Sequence, residues 1–397
     1  MVPSPALRRA RVGVAATFLV HAAVSGTLAP RIPAIKANLD LSNGRLGVAL
    51  TGFAVGLFVG TRVAAWLIDR IGSRVVIRVA LPALCAALVG PALAGGLAAL
   101  IAALAVLGIA LGVLDVAINT QAVVVERGYR RPIMSSLHGI WSAGVLAASA
   151  TASGFAALGA GVRLHFALAA IVLGGASVLA PLWLLPPAGE AVPLGGAGER
   201  RSGRARLPVA VIALGAIGFA SFLGEGAAAD WSGVYVRERV GAGSGVAASA
   251  FTAFALGMVA TRFAADRLTV RFGPIAVVRA GGTVGAFGLA LALAAPEPAT
   301  ALAGFVLLGS GLAPVVPLAF SAAGNLGQPT AAALGWVVTT SYVGSVLGPA
   351  AIGAIASAAG LRAGLLLPAL LCALIALLAP FARSAAGAPR VELVPVQ

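Results

Sequence analysis

The sequence predicts an all-α polytopic membrane protein of twelve transmembrane helices in two pseudo-symmetric six-helix halves. Three observations carry that prediction. The 397 residues are 60% hydrophobic and only 10% charged, whereas soluble domains run at about half apolar and about a quarter charged, so a water-exposed surface cannot be built. Apolar runs of about 20 residues, the length that crosses a bilayer, recur twelve times. A patterned segment of the first half also returns some 200 residues later.

Cutting the chain at its charged or Gly/Pro-rich breaks places the spans near 11–34, 44–68, 74–95, 98–124, 133–156, 163–186, 207–234, 245–267, 273–294, 298–324, 329–356 and 360–382. The 52 glycines and 23 prolines lie largely inside these runs, where neighbouring helices can re-satisfy freed backbone groups. The first span follows Arg8, Arg9 and Arg11 and has the look of a secretory signal. With eleven spans behind it, it is expected to be an uncleaved first helix.

The basic residues set the orientation. With the N-terminus inside, 20 of the 27 fall on the cytoplasmic side and 7, including Arg31, Lys36, Arg45 and Arg163, on the other. The net charge of +15 is thereby explained by the positive-inside bias, with no nucleic acid as partner. The expected location is a bacterial-type plasma (inner) membrane, multi-pass, with both termini cytoplasmic. Residues 187–206, PAGEAVPLGGAGERRSGRAR, read as a flexible linker between an N-terminal bundle at 1–186 and a C-terminal bundle at 207–397 with a short tail. The two cysteines, Cys85 and Cys372, sit in apolar runs and support neither a disulfide framework nor a metal site.

The repeat is explicit. TGFAVG at 51–56 is answered by TAFALG at 252–257, Thr61-Arg62 by Thr261-Arg262, and Asp69-Arg70-Ile71-Gly72 by Val270-Arg271-Phe272-Gly273. Six spans separate the copies, so both enter the membrane in the same direction. Parallel halves of this kind form one large class of secondary transporters, with the substrate site between them near the midplane.

The turn between spans two and three reads Ala65-Trp66-Leu67-Ile68-Asp69-Arg70-Ile71-Gly72-Ser73-Arg74. It resembles the major facilitator superfamily signature G-x-x-x-D-R-x-G-x-R, with alanine in the first position. Together with the spans and the repeat, the resemblance covers nearly the whole chain. It implies alternating access, with Asp69, Arg70, Gly72 and Arg74 as a latch at the inner ends, although a static loop cap would use the same contacts. Asp69 is expected to meet a helix N-terminus and a neighbouring arginine. Glu126 and Arg130 after span four, with Asp266 and Arg271 in the second half, are expected to form matching charge networks.

Acids inside a bilayer are costly and functional by default. Asp115, Glu225 and Asp230 are the three within spans, and are the candidates for proton coupling. Asp115 and Asn119 share a helix face at i and i+4. This acid-x-x-x-Asn pattern in span four is similar to that of fucose-type proton symporters of the superfamily, whose additional span-one aspartate has no equivalent here.

Folding spans four and five as an antiparallel hairpin brings Asn119 level with His138 and Asp115 level with Ser142, beside Trp141. That set reads either as a binding wall or as a polar cluster that locks two helices. Glu225 lies between glycines, with no basic residue expected at its depth. It reads as a carboxyl that binds and releases a proton, or as one held by an unseen donor. Asp230 with Trp231 is expected near the outer interface.

Pro314 and Pro317 should break span ten, and Tyr342 in span eleven is the second half's binding candidate. His21 either lines the cavity or bonds a carbonyl. His165 is given no role.

No G-x-x-x-x-G-K-[ST], H-E-x-x-H or G-x-S-x-G motif occurs. The expectation is therefore not an enzyme but a proton-coupled secondary transporter for a small solute, sugar-like or another polar metabolite, without cofactor or metal. Its partners are the solute, protons and the lipid bilayer, and it is expected to be a monomer. Proton-antiport efflux of drugs or toxic metabolites is the alternative within the class. A non-transporting receptor is the alternative outside it, disfavoured by the short linker and tail.

Overall fold

The structure is a computed structural model that describes residues 4–129, 133–186, 208–294, 297–326 and 330–386. The expected linker at 187–206 and the latch candidate Arg130 lie outside the described residues. The described chain is helical and contains no strand. Twelve helices are long and apolar enough to cross a membrane: α1 Pro5–Asn38, α2 Asn43–Ile71, α3 Ser73–Leu93, α4 Leu97–Tyr129, α5 Ser136–Ala157, α6 Val162–Trp183, α7 Val209–Glu238, α8 Ser244–Phe272, α9 Pro274–Ala294, α10 Pro298–Gly324, α11 Ala333–Ala359 and α12 Leu361–Arg383. Twelve crossings return the chain to the end where it began, here called the terminus end. Large apolar side chains such as Leu164, Ile171, Val172, Leu370 and Leu377 point outward, as contact with lipid requires.

The helix boundaries follow from local chemistry. The Ser4 and Ser42 hydroxyls accept from the N–H groups of Leu7 and Arg45, each at 3.3 Å, as N-caps do. Gly72 and Gly273 end α2 and α8 with φ of 78° and 79°, a left-handed conformation that costs glycine little. α1 tightens into a 3-10 turn at Ala29–Arg31, and α10 breaks into Pro298–Leu312 and Val315–Gly324 on either side of Pro314.

Within each half, small residues let backbones touch. A Cβ on Gly56 would collide with the Ala105 carbonyl, and one on Gly108 with the Phe53 carbonyl, so α2 and α4 meet along a glycine seam. The second half repeats it 201 positions on, with Gly257 against Val306 and Gly309 against Phe254, joining α8 to α10. α1 packs on α5, and α7 on α11, in the same correspondence.

Across the halves, α5 packs on α8 and α2 on α11, with several polar and backbone contacts at the far end. There Lys36 pairs with Glu238, the one ion pair among the described residues. Ser244 Oγ donates to the Ala156 carbonyl at 2.8 Å, and the Ser153 and Thr252 hydroxyls lie 3.1 Å apart. Gly47 fits against the Pro349 carbonyl and Gly353. The far end is therefore closed.

One expectation is overturned here. α4 and α5 do not fold on each other as a hairpin: α4 lies on α2 and α3, and α5 on α1 and α8. Chain neighbours need not be packing neighbours when every face of a helix is apolar enough for lipid.

Candidate functional site

A cavity of about 330 Å³ lies between the halves. Its wall takes His21 from α1, Leu57 from α2, Leu111 and Asp115 from α4 and Trp141, Ser142 and Val145 from α5. The other half supplies Phe222 and Glu225 from α7, Phe251, Phe254, Met258 and Arg262 from α8, and Tyr342 and Ser345 from α11. Asp115 and Glu225 lie near the middle of their helices, so one carboxylate from each half faces the same space.

Three further contacts fix the first-half wall. Asn119 Nδ2 donates to Asp115 Oδ1 at 3.3 Å and to the Asp115 carbonyl at 2.7 Å. The shared face is thus real, but the amide is occupied with Asp115, and Asn119 does not line the cavity. Trp141 Nε1 donates to His21 Nδ1 at 3.0 Å. Since Nδ1 accepts, Nε2 carries the proton, and it lies 3.3 Å from the Leu111 carbonyl. His21 therefore ties α5, α1 and α4 together as a neutral imidazole, in the cavity wall and bonded to a carbonyl at once.

His138 is exposed, packs edge-on to Phe18 with ring centroids 5.5 Å apart, and does not line the cavity. Its place is explained by the packing of α5 on α1, which turns that position away from Asn119. Ser142 does line it, donating to the His138 carbonyl at 3.0 Å and accepting from Arg262 Nη1 at 3.1 Å.

The sequence assigns Arg262 no role at the site and leaves Glu225 with no cation expected at its depth. Arg262 sits in the cavity wall within electrostatic reach of Glu225. A helical stripe carried the signal: Phe251, Phe254, Met258 and Arg262 recur at i, i+3 and i+4 along α8. Aromatic residues, 6% of the chain, also gather here: Trp141, Phe222, Phe251, Phe254 and Tyr342 line the wall, with Phe222 and Tyr342 T-shaped at 5.4 Å.

Asp230 faces a separate pocket of about 200 Å³ nearer the far end, lined mostly by apolar groups such as Leu28, Ile32, Leu50 and Phe53. Neither Glu225 nor Asp230 accepts a hydrogen bond from a described residue. Among the described residues no group of three or more His, Cys, Asp or Glu could hold a metal ion.

At the terminus end, the latch candidates stand apart. Asp69 and Asp266 are exposed and make no ion pair among the described residues. Among the described residues Asp69 meets neither an arginine nor a helix N-terminus, since the last turn of α2 holds its side chain in the open. Arg70 stacks over Trp66 at 4.3 Å, and Arg271 lies 5.3 Å from the Phe272 ring. Arg74 is half-buried, with a buried Nε that has no partner among the described residues. Glu126 makes the contact expected of Asp69: its Oε2 accepts from the N–H groups of Ile133 and Met134 at 2.7 and 2.8 Å, where the positive end of a helix favours a carboxylate.

The comparisons agree with this geometry. The chain is 35% identical over 373 residues to an uncharacterised transporter, y4wD, of Sinorhizobium fredii (strain NBRC 101917 / NGR234), covering 93% of this chain and 97% of the relative. A bacterial homologue of the human lysosomal transporter Spinster, in an inward-facing, unoccupied conformation, superposes with a TM-score of 0.73 at 15% identity, covering 97% of this chain and 98% of that one. The fucose:proton symporter FucP of E. coli, in its outward conformation, gives a TM-score of 0.63 at 19% identity, covering 93% and 97%. The family model of the Major Facilitator Superfamily matches residues 14–328 and again 214–395. A chain of twelve membrane-spanning helices with a cavity between its halves, matched over nearly its whole length, belongs to the Major Facilitator Superfamily and is a transporter, not an enzyme.

Proposed function

We propose that this transporter is a proton-coupled secondary carrier of a small organic solute, working by alternating access from a bacterial-type plasma membrane with both termini cytoplasmic. One observation carries the reading: Asp115 and Glu225, one carboxylate from each half, face a single cavity of about 330 Å³, within the size range of small-molecule sites. A carboxylate charge at membrane depth costs several kcal/mol. Loading each acid with a proton removes that cost before the halves rock about the site. Asn119 holds Asp115 in place. His21 and Trp141 act as framework and wall, and Ser142 and Tyr342 offer hydroxyls to the solute. With the far end closed and Asp69 and Asp266 unpaired among the described residues, the arrangement fits the state open to the cytoplasm, and the latch forms when the far end opens.

A thermal-shift screen of purified protein against sugars, nucleosides and organic acids finds a binder by mass action. Its radiolabelled form is then followed into proteoliposomes under a pH gradient. Uptake that survives both collapse of the gradient and the Asp115→Asn/Glu225→Gln double substitution defeats the coupling. Export of an amphipathic compound is a second reading, favoured by the five aromatic side chains in the wall. Inverted vesicles that release protons on addition of such a compound would establish it.

A further inference from the structure

We propose that Arg262 makes the cavity a site for small organic monocarboxylates, with the guanidinium taking the carboxylate and the aromatic stripe of α8 taking the apolar body. This rests on the transporter reading and gives its solute a chemical class.

The argument begins with donors. A guanidinium carries five N–H groups in a rigid fork and no acceptor. In the cavity wall its one described hydrogen bond goes to a neutral hydroxyl, Ser142 Oγ at 3.1 Å. No carboxylate comes within ion-pair distance of it. Glu225 on α7, Asp115 on α4 and Tyr342 on α11 line the cavity with it, Glu225 and His138 on α5 are within its electrostatic reach, and Glu225 stands across the cavity. A cation left with most of its donors unspent, at a depth where bare charge is costly, is a ready partner for an anion.

The rest of the wall argues against a sugar. Trp141 has spent its indole N–H on His21, and Asn119 has spent its amide on Asp115. The polar groups left in the wall besides Arg262 are the Asp115 and Glu225 carboxylates and the Ser142, Tyr342 and Ser345 hydroxyls, while the surface nearest Arg262 is Met258, one turn away on the same helix, then Phe254, with the Phe222–Tyr342 pair on other helices of that half. A polyol would leave hydroxyls facing these rings unpaired. A compact anion with an aromatic or branched body pairs its head and buries its tail.

Glu225 gives this site its coupling. Ionised, it competes with the solute for the Arg262 field. Protonated, it yields the guanidinium to the solute, so proton and anion occupy the cavity together.

The test reads binding without transport. Purified full-length protein in detergent is titrated calorimetrically with benzoate, 4-phenylbutanoate and 4-methylpentanoate, each beside the alcohol and the amine of the same carbon skeleton. At least one carboxylate should bind about tenfold more tightly than its alcohol, the worth of a charge-assisted bond, and its amine should not bind measurably. Arg262→Gln should abolish that preference. Arg262→Lys, which keeps the charge and covers the case in which the glutamine variant does not fold, should reduce the preference without reversing it.

An alcohol or amine that binds as well as its carboxylate overturns the proposal. So does a preference that survives Arg262→Gln, or a panel in which no carboxylate binds. Because no gradient enters the measurement, carboxylate binding without proton-driven uptake would sink the coupled-transport reading alone, and uptake of a neutral solute would sink this one alone.

Discussion

Gly47→Ala and Gly56→Ala insert the same methyl group into two different kinds of seam, and their consequences should part. At Gly47 the new Cβ would lie 2.6 Å from the Pro349 carbonyl and 3.1 Å from Gly353 Cα, where ordinary contact is 3.4–4 Å. That seam joins α2 to α11, across the halves, at the closed far end. At Gly56 the Cβ meets the Ala105 carbonyl inside the first half. Overpacking of this size costs about 1–3 kcal/mol. At Gly47 the strain is relieved if the halves part at the far end, so the cost shifts a conformational equilibrium, by about 5- to 150-fold. At Gly56 no rocking motion relieves it, and the fold bears the cost. The assay uses Cys85→Ala and Cys372→Ala, which remove both native thiols, with Ser345→Cys in the cavity wall. A membrane-impermeant maleimide then probes the cavity from each face of oriented vesicles. Gly47→Ala should raise labelling from the far-end face by about fivefold or more, whereas Gly56→Ala should lower the melting temperature and leave labelling unchanged. If both variants only melt earlier, the α2–α11 contact is not a gate.

Three other outcomes follow from single contacts. Asn119→Leu removes the amide that holds Asp115 and should cost about 0.5–1.5 kcal/mol, read as a lower melting temperature together with reduced proton-coupled uptake; full uptake would show that Asp115 needs no positioning. A double-mutant cycle of His21→Leu and Trp141→Phe should return a coupling of about 0.5–3 kcal/mol in thermal denaturation, and strict additivity would contradict the 3.0 Å bond between them. Lys36→Ala removes a pair in which the lysine side chain is 11% exposed and the glutamate 37%. It should raise far-end maleimide labelling about two- to fivefold at low salt, the effect of at most about 1 kcal/mol, and less at high salt.

Much of this architecture can be read from the sequence because span length and charge are one-dimensional signals. The twelve runs, the proline break in α10 and the glycines that end α2 and α8 lie on the chain where the structure has them. Which helix neighbours which is a different matter. Asp115, Ser142 and Trp141 do share a cavity, yet by way of α1 wedged between α4 and α5 rather than by a hairpin. Lipid-facing and helix-facing sides are both apolar, so periodicity does not name the partner. Arg262 escapes the sequence for a related reason: α8 continues ten residues beyond it to Phe272, and only the packing of the helices shows that it faces the cavity. The latch differs again. Asp69 lies in the signature and Asp266 just ahead of its counterpart in the second half, and whether they pair depends on which end of the molecule is shut.

The exact spacing of the glycine seams also bears on how the molecule would read the shape of its cargo. Gly56, Gly108 and the carbonyls they touch recur 201 positions on, but the two cavity carboxylates do not. At 200 or 201 positions Asp115 falls on Val315 or Val316, and Glu225, counted back, on Ser25 or Val24. The duplication survives where helices bear on one another, and around the cavity it keeps Arg262, the answer to Arg62, but neither carboxylate. A pocket with twofold sameness would accept a guest in either of two orientations. This one presents an imidazole-braced indole on one side, a guanidinium on another and a ring pair on a third, so an unsymmetrical guest should enter in one orientation.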